Sequence, residues 1–487
     1  MATPTASLAA PHASRGLAVP ASVAALSVED VVRATRGRLR AGSPSATFRG
    51  LSTDTRSLQP GQAFLAMAGP TFDGHTFLEA AIARGASGLI VQTGAGPAEA
   101  GALPVIEVAQ TVTALGDLAL AHRRRFNIPV IAITGSCGKT TTKEMIAAVV
   151  GASRCILSSA GTENNHIGVP QTLLRLRPEH AAVVLEMGTN HPEEIARLAA
   201  IAEPTIGLVT NIGVAHLEFF GSIGGVLREK LSLLRALPAD GTAMIPGDDL
   251  LVRRALIEQP VDATVVSCGA VQRCDVQARR IEPLATGSRV TIDGPIVPAP
   301  FTVELPLLGR HNALNALMAV ACGLRLGISP WEITLALEAL RPMAMRLEPL
   351  RVGQIVMLSD CYNANPTSMR QAIDVLRAYP QDGPRFLVCG DMAELGAGAR
   401  QFHREVGRYA GDANLDAVIA VGTYASCTVE GLRSSARPRT EGWACATLED
   451  VQARLLALPL THGTVLVKGS RVMGMERLVA WLAGERP

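Results

Sequence analysis

The stretch Ile131-Ala-Ile-Thr-Gly-Ser-Cys-Gly-Lys-Thr-Thr-Thr-Lys-Glu144 decides how this chain is read. The β-branched run Val130–Thr134 has the composition of a buried strand, Gly135 to Gly138 form a short glycine loop, and Lys139-Thr140 open a helix that continues from Thr141. A strand that ends in such a loop and re-enters as a helix aims successive backbone N–H groups, and the positive end of the helix, at one point. A nucleotide's phosphates fit that point, with Lys139 reaching the terminal phosphates and the Thr140 hydroxyl facing Mg2+. The spacing departs from the full G-x-x-x-x-G-K-[ST] pattern, because Ile133 stands where the first glycine belongs. Glycine turns before helices also arise without any ligand; the strand before this one and the helix after it favour ATP or a relative of it. Gly135, Ser136, Cys137, Gly138, Lys139, Thr140 and Thr141 are the expected contacts.

Outward from this loop, 487 residues at roughly 150 per domain make two to four domains, and 48% hydrophobic content supplies cores for them. A net charge of +2 removes the bulk electrostatic case for nucleic acid or an anionic membrane, and 3% aromatics argue against stacking on single strands. Nine cysteines without C-x-x-C spacing point to a reducing, cytoplasmic compartment rather than a zinc or disulfide framework. No apolar run reaches the length of a membrane span. Residues 1–25 are Ala/Pro/Ser-rich and lack a signal-peptide core, so a disordered leader is expected. Arg123-Arg124-Arg125 reads as a solvated helix end.

Short strands and helices fill 26–108: helix at Val28–Thr35, strands at 62–67 and Gly88–Gln92, helix at 77–84. A central block, 109–342, opens with a helix at 111–125. Strands and helices then alternate in the rhythm of a parallel sheet covered on both faces, with strands at 181–186, 206–210 and 243–246. Residues 263–305 carry short strands at 263–268, 289–292 and 301–305 between Gly/Pro turns, which predicts an antiparallel insert, and a helix follows at 311–326. Near Arg341-Pro342 the chain restarts with strands at 355–359, 385–389, 417–421 and 464–468, a second and smaller doubly wound unit over 343–487. The expectation is an α/β protein of three domains: a small α/β N-terminal domain, a central P-loop ATPase with a mostly parallel sheet, and a C-terminal Rossmann-like domain.

Ligands of open α/β sheets lie beyond the carboxyl ends of the strands. In the central block those positions hold the glycine loop, Glu186 with Gly188, and Asn211 with His216. A carboxylate ending a buried strand is costly unless it is paired or metal-bound; a hydrogen-bonded acid is the plain alternative. For His216 alone the plain reading is a helix cap or a packed histidine. Lys230, on an amphipathic helix at 223–237 closed by Pro238, reads as a surface lysine. Thr53-Asp54-Thr55 reads as a turn or cap cluster.

The segments T-G-S-C-G-K-T-T, N-N-H-I-G-V-P, L-E-M-G, T-N-I-G-V-A-H-L-E, G-R-H-N-A-L-N-A-L, D-C-Y-N-A-N-P-T-S-M, G-D-M-A-E-L-G and L-V-K-G-S-R-V-M-G-M-E follow one another in this order. Together they resemble the Mur ligases of peptidoglycan synthesis from about Leu26 to the C-terminus. Tyr362-Asn-Ala-Asn-Pro366 points to the branch that joins D-alanyl-D-alanine to UDP-N-acetylmuramoyl-tripeptide, since the third-residue ligase usually carries H-T-P-D there and folylpolyglutamate synthases H-N-P; no D-N-P-R signature is present.

The resemblance implies an ATP-dependent amide ligase. The first domain would hold the UDP end, the second would be the ATPase, and the third would bring the amine. ATP would phosphorylate the terminal carboxylate, and the dipeptide amine would attack the acyl phosphate. It implies Thr140 and Glu186 as ligands of one Mg2+, His216 as ligand of a second, Lys230 as a carbamylated lysine able to bind or orient metal, and Lys139 as the phosphate cation. Asn312 and Asn315 would lie on the adenine side, with Arg346 and Asp360 meeting the nucleotide after closure. Ser52, Thr53, Asp54, Thr55, Arg56, Phe64, Asp73 and His75 match the uridine-diphosphate pocket. Asn164, Asn165, Tyr362, Asn363, Asn365, Lys468, Ser470 and Arg471 match further substrate contacts, with Asp391, Glu394 and His403 on the dipeptide side. Nothing in the sequence demands more than a monomer, and no nucleic-acid partner or membrane insertion is expected. Two positions depart from the family pattern: Thr162 replaces an asparagine, and Ser232 stands where an acid commonly follows the lysine. Cys137 lies inside the phosphate loop, where an exposed thiol would meet thiol reagents. Other ligases of the superfamily, or a P-loop switch without ligation, are the alternatives.

Overall fold

Val130–Thr134 is the third strand from one edge of a nine-stranded sheet. In this computed structural model the described residues are 26–69, 72–97, 101–161, 163–436, 439–458 and 460–484. The expected leader, 1–25, and Thr162 lie outside them. Two compact units are present: residues up to Asn127 with Pro170–Pro178, and Ile128–Val169 with Glu179–Pro487.

The first unit is built on a five-stranded sheet in the order Arg38–Ala41, Val105–Val108, Gly88–Gln92, Ala63–Leu65, Leu51–Ser52; the first pair is antiparallel and the others parallel. Ser27 and Asp30 form a capping box that starts the helix Val28–Thr35, an arrangement that contributes about 1 kcal/mol. The helix Thr111–Arg123 packs on Val28–Thr35 and belongs to this unit, whereas the sequence spacing assigns it to the central block. His122 Nε2 meets the Leu176 carbonyl at 3.0 Å, tying Pro170–Pro178 to the same unit. The arginine run is not wholly solvated as expected. Arg123 is buried and donates to the Phe126 carbonyl at 2.7 Å, because it sits on the helix's inner face, while Arg124 and Arg125 are exposed.

In the second unit the nine strands run Ile156–Ser158, Ala182–Glu186, Val130–Thr134, Ile206–Val209, Thr242–Pro246, Thr264–Gly269, Val276–Leu284, Gly287–Asp293, Phe301–Leu305. The first seven are parallel to one another, and the last two pairings are antiparallel. Every residue of Val130–Thr134 and Ala182–Glu186 is buried, as the continuous apolar runs of a parallel sheet require. Each Val or Ile buried there contributes about 1.5–3 kcal/mol. One face packs under Lys139–Gly151 and Arg310–Arg325, the other under Ile223–Arg235. The region 263–305 is not an insert: Thr264–Gly269 continues the parallel sheet, and only the last three strands form an antiparallel meander. Val276–Leu284 carries no alternating signal because a bulge between Ala278 and Arg280 turns Arg279 and Arg280 outward together.

The second sheet of this unit has six strands: Glu348–Val352, Ile355–Asp360, Gly463–Lys468, Arg385–Gly390, Ala417–Val421, Glu441–Cys445. All pair in parallel except the first, an antiparallel edge. Both edge strands are half-exposed and escape a reading based on buried runs. No described helix is long and apolar enough to cross a membrane.

Candidate active site

The strand Val130–Thr134 ends in a loop that only glycine can make at two points. Gly135 has φ 147°, and a Cβ there would stand 1.9 Å from Thr210 Oγ1; Gly138 has φ 78°, and a Cβ would stand 2.8 Å from the Asn315 amide. The next strand's end clamps the loop: Thr210 Oγ1 and Asn211 Nδ2 donate to the Cys137 carbonyl at 2.6 and 3.0 Å, and Asn211 accepts from the Cys137 and Ser136 amides. The Ser136 and Cys137 N–H groups, expected to face phosphate, are thus already engaged. The donors left are in the first turn of Lys139–Gly151, which has no intrahelical acceptors for them. Lys139 Nζ folds back onto the Gly135 carbonyl at 2.9 Å.

Ser136 to Thr141, though not Gly135, border a cavity of about 490 Å3 that both sheets of the second unit help to line. Glu186 ends its strand at 2% exposure; Oε1 accepts from Asn164 Nδ2 at 2.8 Å, and Oε2 has no partner among the described residues. Gly188 makes room for this amide, since a Cβ there would meet it at 2.8 Å. Thr140 Oγ1 accepts from Arg346 Nη2 at 3.0 Å, and the Arg346 guanidinium stacks 4.1 Å above the Tyr362 ring. Asn165, Asn363, Asn365 and Asp360 also line the cavity. Asp360 is committed to Lys468, whose buried Nζ donates to it at 2.7 Å and to the Asn363 carbonyl at 2.8 Å. Asn365 Nδ2 donates to Cys137 Sγ at 3.2 Å while its Oδ1 caps the helix Pro366–Ala378. Burial pushes the Cys137 thiol up, away from the reactive thiolate.

Lys230 overturns its reading as a surface residue. It is 1% exposed and its Nζ has no partner among the described residues; burial first, then the nearby Lys139 charge, hold it well below the ordinary lysine range. Val226, Lys230, Leu233 and Leu234 share the buried stripe of Ile223–Arg235, a spacing of four and three that was available in the sequence. Ser232 Oγ turns back to the Glu229 carbonyl at 2.6 Å. Sequence reasoning misses Glu229, which accepts from the Glu193 and Ile195 amides, both at 2.8 Å, and anchors the loop carrying Thr189 to Glu194 on the cavity wall. An acid beside a lysine on an amphipathic helix gives no local cue.

His216 lines the cavity and caps Leu217–Phe220 at φ 53°; its Nδ1 meets Glu394 Oε2 at 2.5 Å, which holds the Glu394 carboxyl below the usual range. Asn312 lines the cavity and donates to the Leu308 carbonyl, whereas Asn315 lies behind Gly138, bonded to Asn312. Other expected contacts do not reach it. Ser470 is buried and accepts from the Ala393 amide, and Arg471 pairs with Glu476. Asp391 accepts from the Thr423 and Tyr424 amides, and His403 bridges the Met392 amide and the Ala399 carbonyl. In the first unit Phe64 is 1% exposed in the sheet core, because it lies on a strand paired on both sides, so it packs rather than contacts substrate. Ser52 to Arg56 form a turn in which Asp54 accepts from the Arg56 backbone and guanidinium, and Thr53 accepts from Gln171 at 2.8 Å. Asp73 and His75 bond each other at 2.6 Å, and His75 Nε2 accepts from the Gln92 amide.

No group of three or more His, Cys, Asp and Glu stands ready to enclose a metal among the described residues. Mg2+ needs no such cage, since one or two carboxylates with substrate phosphates hold it. The orphaned Glu186 oxygen, on the cavity that Thr140 also lines, fits that requirement.

Comparison with known proteins adds three family matches: the Mur ligase middle domain over residues 133–323, the Mur ligase glutamate ligase domain over 345–471, and the Mur ligase family catalytic domain over 47–123. The UDP-N-acetylmuramoyl-tripeptide–D-alanyl-D-alanine ligase of Escherichia coli K12 is 38% identical over 89% of this chain and 93% of its own; that of Bacillus subtilis 168 is 33% identical over 93% and 97%. A crystal structure of MurF from Acinetobacter baumannii superposes with a TM-score of 0.86 at 34% identity, covering 94% of this chain and 99% of its own. MurF from Thermotoga maritima in complex with ADP gives 0.79 at 25% identity, covering 90% and 97%.

Proposed function

The chain belongs to the Mur ligase family, and from that premise we propose that it joins D-alanyl-D-alanine to UDP-N-acetylmuramoyl-tripeptide in peptidoglycan precursor synthesis, with ATP converted to ADP and phosphate. The observation that carries the reading is the cavity itself, where the amide end of a glycine-clamped helix, a lysine and an orphaned buried carboxylate oxygen converge.

A carboxylate is a poor acyl donor because resonance stabilises it and oxide is a bad leaving group. Transfer of the γ-phosphoryl group to the tripeptide's terminal carboxylate gives an acyl phosphate. The dipeptide amine then attacks the carbonyl carbon, a tetrahedral intermediate forms, and phosphate leaves as the amide closes. The first-turn amides of Lys139–Gly151 bind the phosphates, and Lys139 turns from the Gly135 carbonyl toward them. Arg346, already on Thr140, supplies a second cation from the six-stranded sheet. Thr140 and Glu186 would hold one Mg2+ and His216 a second, which when bound neutralise phosphoryl charge. Lys230, a buried amine held toward neutrality near Lys139, suits carbamylation by CO2, which would release a proton and turn the side chain into an anion able to bind or orient metal. We assign the UDP end to the first unit, on the family match over 47–123, and the incoming dipeptide to the six-stranded sheet. We further propose a cytoplasmic location, where ATP is available, and a monomeric enzyme.

The test is ADP release with UDP-tripeptide and D-alanyl-D-alanine, against L-amino acids as controls. Release that requires both substrates and yields the pentapeptide supports the reading. Hydrolysis of ATP without them would show a nucleotide switch instead, and turnover with a single L-amino acid another ligase of the superfamily.

A further inference from the structure

His216 and Glu394 are both non-glycine residues with positive φ, 53° and 60°, and they face each other where the two sheets of the second unit meet. A residue stays in that region only when its surroundings fix it, and such positions concentrate at functional sites. Here the surroundings are visible. The loop carrying Glu394 is pinned by His403 Nε2, which accepts from the Met392 amide at 3.0 Å, and by Ser470 Oγ, which accepts from the Ala393 amide at 2.9 Å. The Glu394 carbonyl accepts from the Glu218 amide at 3.4 Å, and Gly396, φ 58°, lets the loop approach until a Cβ would stand 3.2 Å from Glu218 Cα. The loop is built to deliver one carboxylate to one imidazole.

We propose that Glu394 is a positioning residue for His216: its carboxylate accepts the Nδ1 proton, fixes the ring and its tautomer, and leaves the Nε2 lone pair for the cation in the cavity. Nε2 has no protein hydrogen bond among the described residues, and His216 lines the cavity. A carboxylate on the far nitrogen is the usual way a ligating histidine is oriented. Because His216 follows the nine-stranded sheet and Glu394 the six-stranded one, the oriented form exists only when the two sheets are together. The inference rests on the ligase reading, which puts a cation at His216.

The test uses the full chain with ADP and Mn2+ as the probe, free Mn2+ being read by electron paramagnetic resonance. Glu394→Ala is expected to weaken one Mn2+ site at least tenfold and to lower kcat at least tenfold, with KM for D-alanyl-D-alanine within twofold. Glu394→Gln, whose amide oxygen still accepts the proton, recovers most of both losses. His216→Ala weakens Mn2+ to the same degree, and the double variant is no worse. Wild-type Mn2+ affinity in Glu394→Ala, or equal impairment of the Gln and Ala variants, would overturn the proposal even though the enzyme ligates. Absence of ligation by the wild-type chain, with the Mn2+ differences intact, would instead remove the ligase reading and uphold the pairing.

Discussion

An amine without a partner at 1% exposure cannot stay an ordinary ammonium, because desolvating the charge costs far more than the surrounding packing returns. Lys230→Ala is therefore expected to lower kcat at least a hundredfold while circular dichroism and melting temperature stay near wild type, and short carboxylic acids added to the assay should restore part of the rate. Full activity of the variant would show that this amine does no chemistry. A second residue answers to pH. Burial lowers the His311 pKa to about 4 from its ordinary 6.5. Between those values the unfolded chain takes up a proton that the folded chain refuses, so stability falls as pH drops from 6.5 toward 4. His311→Gln should make the loss of melting temperature over that window shallower. Residue roles were only partly readable beforehand. Lys139, Thr140, Glu186 and His216 follow strands in order, so sequence places them at the cavity. Asn164, expected on substrate, lines the cavity and also holds Glu186, a pairing of residues 22 apart that no local spacing announces.

Among the elements, the loop from Gly135 to Gly138 is the most tightly specified. Gly135→Ala would drive a methyl group into Thr210 Oγ1 at a φ that alanine avoids. A loss of about 1–3 kcal/mol is expected from the overpacking. ATP binding should fall at least tenfold, measured by calorimetry with a non-hydrolysable analogue. An alanine variant that melts and binds like wild type would mean the loop can reshape. The strands flanking this loop were readable because parallel strands buried on both faces appear as unbroken apolar runs. Val276–Leu284 was not, since its bulge cancels the alternation, and neither were Glu348–Val352 and Glu441–Cys445, edge strands with mixed exposure. Helix starts fared better where a side chain caps them, as at Ser27 and Ser222.

At the scale of the whole molecule, the two sheets of the second unit meet through a few polar pairs beside a small apolar contact, in which Leu308 and Val214 pack against the core under the six-stranded sheet. Arg346 meets Thr140, Asn365 meets Cys137, and His216 meets Glu394. Thr367 packs where a Cβ on Gly213 would come within 2.6 Å. Contacts of this kind release easily, and most of them stand on the cavity wall, so a bound triphosphate adds its own charge to the same junction. ATP is thus expected to favour the arrangement in which the sheets are together, and Arg346, which stands just before the six-stranded sheet and donates to Thr140 at the start of the helix Lys139–Gly151, is expected to transmit that preference. Spin labels on exposed Cys155 and on Leu456→Cys would report it. A non-hydrolysable ATP analogue should narrow and shorten their distance distribution, and Arg346→Ala should reduce the shortening by at least half. Distributions that are the same with and without nucleotide would mean the sheets are held together by something other than these pairs, and that the amine-bearing sheet does not wait for ATP before it closes.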